Sequence, residues 1–224
     1  MSYILNIETA TKNCSVALAK NGETILCKEI AEEGYSHAER LHVFIDEVCK
    51  VSGISFQDLS AIAVSQGPGS YTGLRIGVSA AKGLCYALNI PLISVDTLQV
   101  LASKATIAEG LIIPMLDARR MEVYSAIFDF KLVKQREVQA EVITENSFES
   151  ITETVYFVGD CSDKCKSVLT KSNFNFLEEV KYPSANEMSA LSFQKFQKED
   201  FEDVAYFEPY YLKDFMITTS KQVG

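Results

Sequence analysis

The stretch AIAVSQGPGSYTGLRIGVSAAKGLCYALN, residues 61–89, decides the fold. It begins with an apolar run at 61–64, which is short enough for one buried strand. A glycine-rich turn follows at 67–69, and Ser70 or Thr72 then suits the N-cap of a helix. The stretch therefore predicts a strand, a tight turn and a helix, which is the repeating unit of an α/β fold.

The helix that follows, predicted over about residues 72–88, is apolar almost all round and carries only two charged residues. A helix of a water-soluble protein that lacks a polar face is buried on both sides. Gly73, Gly77 and Ala81 lie at steps of four, so one face is nearly bare backbone and favours close approach by a neighbour. We call this the small-residue face. It indicates either a central core helix or a helix shared with a partner protein.

The order of predicted elements on either side of this stretch indicates that the chain consists of two similar halves. In the first, a strand ends in Glu8, a polar turn follows, and two further strands come before the first helix. After Gly110 the same order restarts, with a strand that ends in Asp117. The pattern predicts an α/β, two-lobed, actin-like ATPase (ASKHA) fold with duplicated βββαβα lobes and a shortened second lobe. The lobes are predicted at residues 1–106 and 107–224.

Composition limits the classes of function. The 224 residues carry a net charge of −9, which argues against binding nucleic acid unaided, because neutralising phosphates supplies most of that affinity. The N-terminus lacks the features of a secretory signal, and no apolar run approaches the roughly 20 residues that span a bilayer. Six scattered cysteines read as reduced thiols, mostly in the core. We therefore expect a cytoplasmic protein.

The turns at the ends of the first strands are candidates for phosphate chemistry. In actin-like ATPases, acidic turn residues face a metal-bound nucleotide, so Glu8 and Asp117 are the predicted pair, with exposed structural carboxylates as the alternative. Hydroxyl and cationic groups for phosphate come from Thr9, Thr11 and Lys12. A further candidate is Gly69, because the amides at a helix N-terminus can hold an anion, although such glycines also serve simply to tighten a turn.

The sequence predicts no metal site. His37 and His42, the only histidines, point about 140° apart on a helix and do not chelate one ion easily. Cys161 and Cys165 lack the CxxC spacing and have no histidine nearby.

Four segments resemble the bacterial TsaB (YeaZ) family. They are ILNIETATKNCSVAL (4–18), SHAERLHVFIDEV (36–48), AVSQGPGSYTGLRIGVSAAKGLCYAL (63–88) and PMLDARRMEVYSAIF (114–128). The resemblance implies an actin-like fold and a role in making threonylcarbamoyladenosine beside the tRNA anticodon. It also implies a non-catalytic partner of a larger TsaD-type transferase, with a small TsaE-type ATPase joining the pair.

The chain departs from the transferase pattern where that subunit holds its metal. The resemblance places Thr97 and Leu101 where the transferase has the two histidines of an HxxxH motif, and a hydroxyl with an alkyl group does not hold a transition metal. The late glycine-rich adenosine loop is reduced to residues 158–161. We therefore expect no catalytic residues and no cofactor of its own, with ATP or ADP at the subunit interface as the remaining nucleotide hypothesis.

The resemblance also implies that the two helices at 36–48 and 72–88 pair with equivalent helices of the transferase, that tRNA is reached only through the complex, and that the chain forms a homodimer when alone. The alternative is a free-standing actin-like ATPase or glycoprotease-like metalloenzyme. The predicted interface residues are Leu41, Phe44, Ile45, Gly73, Leu74, Gly77, Val78 and Ala81.

Overall fold

The computed structural model describes residues 1–31 and 37–212 of the chain. Two features of the sequence lie outside the described residues, namely Ser36, which suits the N-cap of a helix, and residues 213–215, which end the aromatic-rich segment 206–215. Within the described ranges, the elements form two five-stranded sheets with helices packed on them.

The first sheet has the order β3-β2-β1-β4-β5. Strands β1, β2 and β3 are antiparallel, whereas β4 and β5 run parallel to β1, because helical crossovers connect them. The observed strands match the predicted ones closely and extend some of them. Their bounds are β1 Tyr3–Glu8, β2 Cys14–Lys20, β3 Glu23–Ile30, β4 Leu59–Gly67 and β5 Leu92–Asp96.

The second sheet has the order β10-β9-β6-β7-β8, which is the order of the first sheet when each strand is matched to its counterpart. The repeat seen in the sequence is therefore a repeat of topology, and the α/β two-lobed fold is confirmed. The bounds are β6 Leu111–Asp117, β7 Glu122–Asp129, β8 Lys134–Val142, β9 Val155–Val158 and β10 Phe174–Phe176.

Helices cover both faces of the first sheet. Because side chains alternate along a strand, Leu5 and Ile7 pack with α1 and α2 on one face, whereas Ile4 packs with α5 on the other. Helix α3 contacts both lobes. The helices are α1 His37–Val51, α2 Tyr71–Leu88, α3 Thr97–Ala102, α4 Ser162–Cys165 and α5 Ala185–Gln197.

The sequence pattern predicts helices over about residues 97–108 and 163–171, and both observed helices are shorter. Helix α3 ends at Ala102 instead of near residue 108, because the following residues turn toward the second lobe and Ala105 and Ile107 pack into its core. The helix expected over 163–171 is the single turn α4. After this turn, Val168 and Leu169 pack into the hydrophobic cluster on the face of the second sheet opposite α3.

The chain returns to the first lobe after the second sheet. Helix α5 packs on β1, β2 and β5, and the backbone amide of Glu202 donates to the Leu92 carbonyl at the edge of β5. The division at 106/107 stays a prediction about domains, to which the structure adds that a C-terminal helix covers the first sheet. None of the helices in residues 1–31 and 37–212 has the length and hydropathy that crossing a bilayer requires. All six cysteines carry free thiols, and five of them are buried, as predicted.

Candidate functional site

The small-residue face of α2 packs on the chain's own β1–β2 turn. The Thr9 hydroxyl donates to the Gly73 carbonyl at 2.8 Å, and both groups are buried. A Cβ at Gly73 would lie 2.1 Å from the Thr9 carbonyl oxygen, and a Cβ at Gly77 would lie 2.2 Å from Thr9 Oγ1. The glycines therefore allow a turn of this same chain, and not a partner helix, to approach α2.

This packing buries most of the predicted partner interface within the chain itself. Seven of the eight residues lie in the interior of this chain, where α1 and α2 pack against the first sheet and the β1–β2 turn. Only Phe44 is partly exposed, and it packs against the same core. The buried residues are Leu41, Ile45, Gly73, Leu74, Gly77, Val78 and Ala81.

Alanine substitutions at two glycines of α2 test this packing. Gly77→Ala should lower the free energy of unfolding by about 1–3 kcal/mol, because its Cβ overlaps the buried Thr9 hydroxyl. Gly83→Ala in the same helix should raise the free energy of unfolding by about 0.5–1 kcal/mol, because no atom lies within 4 Å of its Cβ and alanine favours a helix. Urea denaturation measures both, and equal effects would contradict the packing described here.

The exposed sides of α1 and α2 form a groove. It has a volume of about 620 Å³ and is lined mainly by apolar atoms. Ile76 and Ala80 form its floor from α2, while His42 lies on the α1 side. We call this surface the α1–α2 groove, and its lining residues are Ala38, His42, Arg75, Ile76, Ser79, Ala80, Gly83 and Leu84.

None of the groove residues was among the predicted contacts, although they lie on the predicted helices. The sequence assigned the bulky side of α2 to its own sheet and the small-residue face to a partner. A signal was present, since the i, i+4 pairs Ile76–Ala80 and Ala80–Leu84 mark an apolar stripe, and Gly83 extends it. In a helix that is apolar almost all round, this stripe does not stand out.

Glu8 lies at the end of β1 and is fully buried. Its Oε1 accepts a hydrogen bond from the Ala10 amide at 2.6 Å, whereas its Oε2 is buried without a partner among the described residues. Burial raises the pKa of the carboxyl to about 7, although the Ala10 amide and the nearby Ser65 hydroxyl oppose this rise. Glu8 is therefore a core group that holds its proton into the neutral range, and not a ligand on a cleft surface.

The other residues predicted to bind phosphate mostly serve the chain's own structure. Thr9 is buried against α2, and a Cβ at Gly69 would lie 2.3 Å from the Ala10 carbonyl oxygen. Thr11 Oγ1 accepts a hydrogen bond from the Asn13 amide, while Lys12 is exposed. One amide of the first helical turn is also engaged, because the Gly73 amide donates to the Ser70 hydroxyl.

Asp117 lies at the surface of the second lobe, with half of its side chain exposed. The ammonium group of Lys164 donates to its carboxylate and also to the Arg120 and Glu122 carbonyls. The backbone amide of Asp117 donates to the Asp160 carboxylate at 3.0 Å. Glu8 and Asp117 thus lie in different lobes, and Glu8 is fully buried whereas Asp117 is half exposed.

The positions that the family resemblance matches to the transferase histidines are buried, and each is engaged within this chain. Thr97 Oγ1 accepts a hydrogen bond from the Gly67 amide at 3.0 Å, and Leu101 lies in the hydrophobic cluster between α3 and the second sheet. A ring nitrogen of His37 lies 2.6 Å from the Thr11 carbonyl oxygen. Within the described part of the chain, no group of three or more His, Cys, Asp or Glu side chains is arranged to hold a metal ion.

Comparison with known sequences identifies related proteins. The family model described as TsaD, tRNA N6-adenosine threonylcarbamoyltransferase, matches residues 29–220. The TsaB protein of Escherichia coli is 31% identical over 225 residues, which cover 94% of this chain and 94% of that protein. The TsaB protein of Bacillus subtilis is 38% identical over 128 residues, so that this alignment spans about half of each protein (57% of this chain and 56% of the relative).

Comparison with solved structures supports the fold. YeaZ from Pseudomonas aeruginosa superposes with a TM-score of 0.83 over 95% of this chain and 100% of that one, at 23% identity. The ethanolamine utilization protein EutJ from Carboxydothermus hydrogenoformans superposes with a TM-score of 0.50 over 84% of this chain and 89% of that one, at 11% identity. Because the TsaB protein of Escherichia coli is 31% identical over 94% of both proteins, the chain belongs to the TsaB (YeaZ) family.

Proposed function

We propose that this chain is the non-catalytic activating subunit of a TsaD-type transferase in the threonylcarbamoylation of the adenosine beside the tRNA anticodon. Its relatives in Escherichia coli and Bacillus subtilis are both named tRNA threonylcarbamoyladenosine biosynthesis proteins. The chain also resembles the transferases themselves, since that of Bacillus subtilis is 35% identical over 51% of this chain. Two related subunits of one fold are suited to pair through equivalent helices.

The α1–α2 groove carries this proposal. It exposes apolar side chains of two helices side by side, and an exposed apolar groove between helices is a typical docking surface for a partner helix. Arg75 and His42 at its margin supply polar groups for the rim of an interface. The helices are those that the family resemblance assigns to the transferase contact, but the contacting face is the groove and not the small-residue face.

The buried site residues support a non-catalytic role. Thr97 and Leu101 occupy the positions of the transferase's metal ligands with a hydrogen-bonded hydroxyl and a packed alkyl group. A Cβ at Gly159, in the reduced adenosine loop, would lie 1.9 Å from the Met115 carbonyl oxygen, so that backbone fills this space. The transfer of the threonylcarbamoyl group in the complex is therefore assigned to the transferase.

The remaining partners are part of the same proposal. A small TsaE-type ATPase joins the pair, tRNA is bound through the complex because this chain carries a net charge of −9, and ATP or ADP binds at the subunit interface. In the absence of the transferase, the α1–α2 groove of one copy covers that of a second copy, because the interface of a symmetric dimer uses the same surface twice.

The alternative is a free-standing actin-like ATPase or glycoprotease-like metalloenzyme, and it is tested first on the isolated chain. We expect no bound transition metal and no ATP turnover above a protein-free blank. We also expect one 1:1 species with the cognate transferase in sedimentation velocity. Metal-dependent or ATP-dependent turnover by the purified chain, or two separate boundaries in the mixture, would contradict the proposal.

A further inference from the structure

A polar pocket lies between the lobes, apart from every residue considered so far for nucleotide binding. It has a volume of about 260 Å³ and opens at the carboxyl ends of β4 and β5. Asp96 ends β5, Gln66 is the residue before the last of β4, Gln99 lies on α3, and Lys134 comes from β8 of the second lobe. Helix α5 and the residue that caps it contribute Gln194, Lys195 and Lys198. We call it the interlobe pocket.

The charges in the interlobe pocket are unusual for this chain. Three lysines and a single carboxylate line it, in a protein whose net charge is −9. Lys134 is held at 2.8 Å from the Asp96 carboxylate and also pairs with Glu137. Lys195 donates to the Ser94 carbonyl at 2.9 Å and pairs with Asp200. These two lysines form the walls of the pocket and are held in place by their partners.

The other polar groups are available to a ligand. Among the described residues, Lys198 has no carboxylate within ion-pair distance, and the side-chain amides of Gln66, Gln99 and Gln194 make no hydrogen bond. One ammonium and three amide groups therefore line the pocket with their donors unused, and those of Lys198 and Gln194 are exposed to solvent. Hydrogen bonds from such donors to an ionised oxygen are stronger than bonds between neutral groups.

The size of the pocket restricts the ligand. A volume of 260 Å³ is the share of about nine water molecules, and it falls below the roughly 300–1,000 Å³ of sites for drug-sized molecules. We propose that the interlobe pocket binds a small oxyanion, a phosphate or a short carboxylate, through Lys198 and the amides of Gln66, Gln99 and Gln194. Because Lys134 belongs to the second lobe, the residues that line the pocket come from both lobes.

An NMR titration of the full chain with inorganic phosphate, and separately with malonate, tests this proposal at ionic strength held constant with sodium chloride. We expect saturable amide shifts at Gln66, Gln99 and Gln194 for at least one of the two anions. Lys198→Glu should weaken binding at least about tenfold, because it replaces a charge-assisted donor with a repelling carboxylate. Gln194→Met, which removes only the amide, should weaken binding about threefold or more.

The matched control is Lys181→Glu, which makes the same charge change at an exposed position outside the pocket and should alter the affinity less than twofold. The spectra also report whether each variant is folded. Shifts that rise linearly with both anions, or a loss of affinity that is equal in Lys198→Glu and Lys181→Glu, would overturn the proposal, because either result indicates general ionic effects.

Discussion

Replacing Gly83 with glutamate is expected to weaken binding of the chain to its transferase by at least about a hundredfold, or roughly 2.7 kcal/mol. Gly83 is an exposed residue of α2 that lines the α1–α2 groove, and its added side chain would project into open space. In the complex, the same carboxylate would be buried against apolar groups without a partner, which is costly. Isothermal titration calorimetry with the purified transferase measures the change.

The fold itself should tolerate this substitution, because glycine is a poor helix residue and no atom lies within 4 Å of the new Cβ. Ala190→Glu provides the matched control, since Ala190 is an exposed residue of α5 on the opposite face of the first sheet. It should bind the transferase with unchanged affinity. Equal affinities of Gly83→Glu and wild type would show that the transferase docks elsewhere.

Replacing Glu8 with glutamine is expected to stabilise the protein at pH 8 by roughly 3 kcal/mol and to leave it almost unchanged at pH 4.5. The neutral amide retains the hydrogen bond from the Ala10 amide and presents a donor toward the Ser65 hydroxyl. It removes the cost of a buried negative charge.

The sign of this stability change follows from how tightly the folded and unfolded states bind the Glu8 proton. The Glu8 carboxyl has a pKa of about 7 in the folded chain against its ordinary 4.5, so that the folded state holds the proton more tightly than the unfolded state. The stabilising contribution of the protonated Glu8 carboxyl to the free energy of unfolding is therefore fully present below pH 4.5. It falls as the pH rises from 4.5 toward 7 and is lost above pH 7.

Urea denaturation at several pH values measures this effect as the difference between the variant and the wild type, which cancels the other titrating groups. Glu23→Gln, at an exposed position on β3 of the same sheet, is the control and should give a difference that stays flat with pH. A flat difference for Glu8→Gln as well would mean that the Glu8 carboxyl ionises in the folded state as readily as in water.

Most of the fold was predictable because its signals are local. The alternation of apolar residues marks the strands, and the order of elements after Glu8 and after Asp117 reveals the duplication before any contact is known. The wrongly predicted helix ends also have a physical cause. Residues after Ala102 have helical composition, yet they leave the helix to pack Ala105 and Ile107 against the second lobe. Such a contact joins distant parts of the chain and has no local signal.

The candidate site was less predictable, because its residues depend on contacts between elements. The spacing of Gly73 and Gly77 correctly indicates close approach, but it does not say whether the approaching group is a partner helix or Thr9 of the same chain. In the same way, the position of Glu8 at the end of a predicted strand indicates a carboxylate in a turn. Its burial depends on how β1, β4 and α2 pack together.

The most direct measurement is a reconstitution of tRNA modification. The cognate transferase, the small ATPase, threonylcarbamoyl-adenylate and tRNA are mixed without this chain, with wild type, with Gly83→Glu or with Ala190→Glu, and the modified nucleoside is quantified. We expect product with wild type and Ala190→Glu, little with Gly83→Glu, and little or none in the mixture without this chain. Equal product in all four mixtures would contradict the assignment of this chain as the activating subunit.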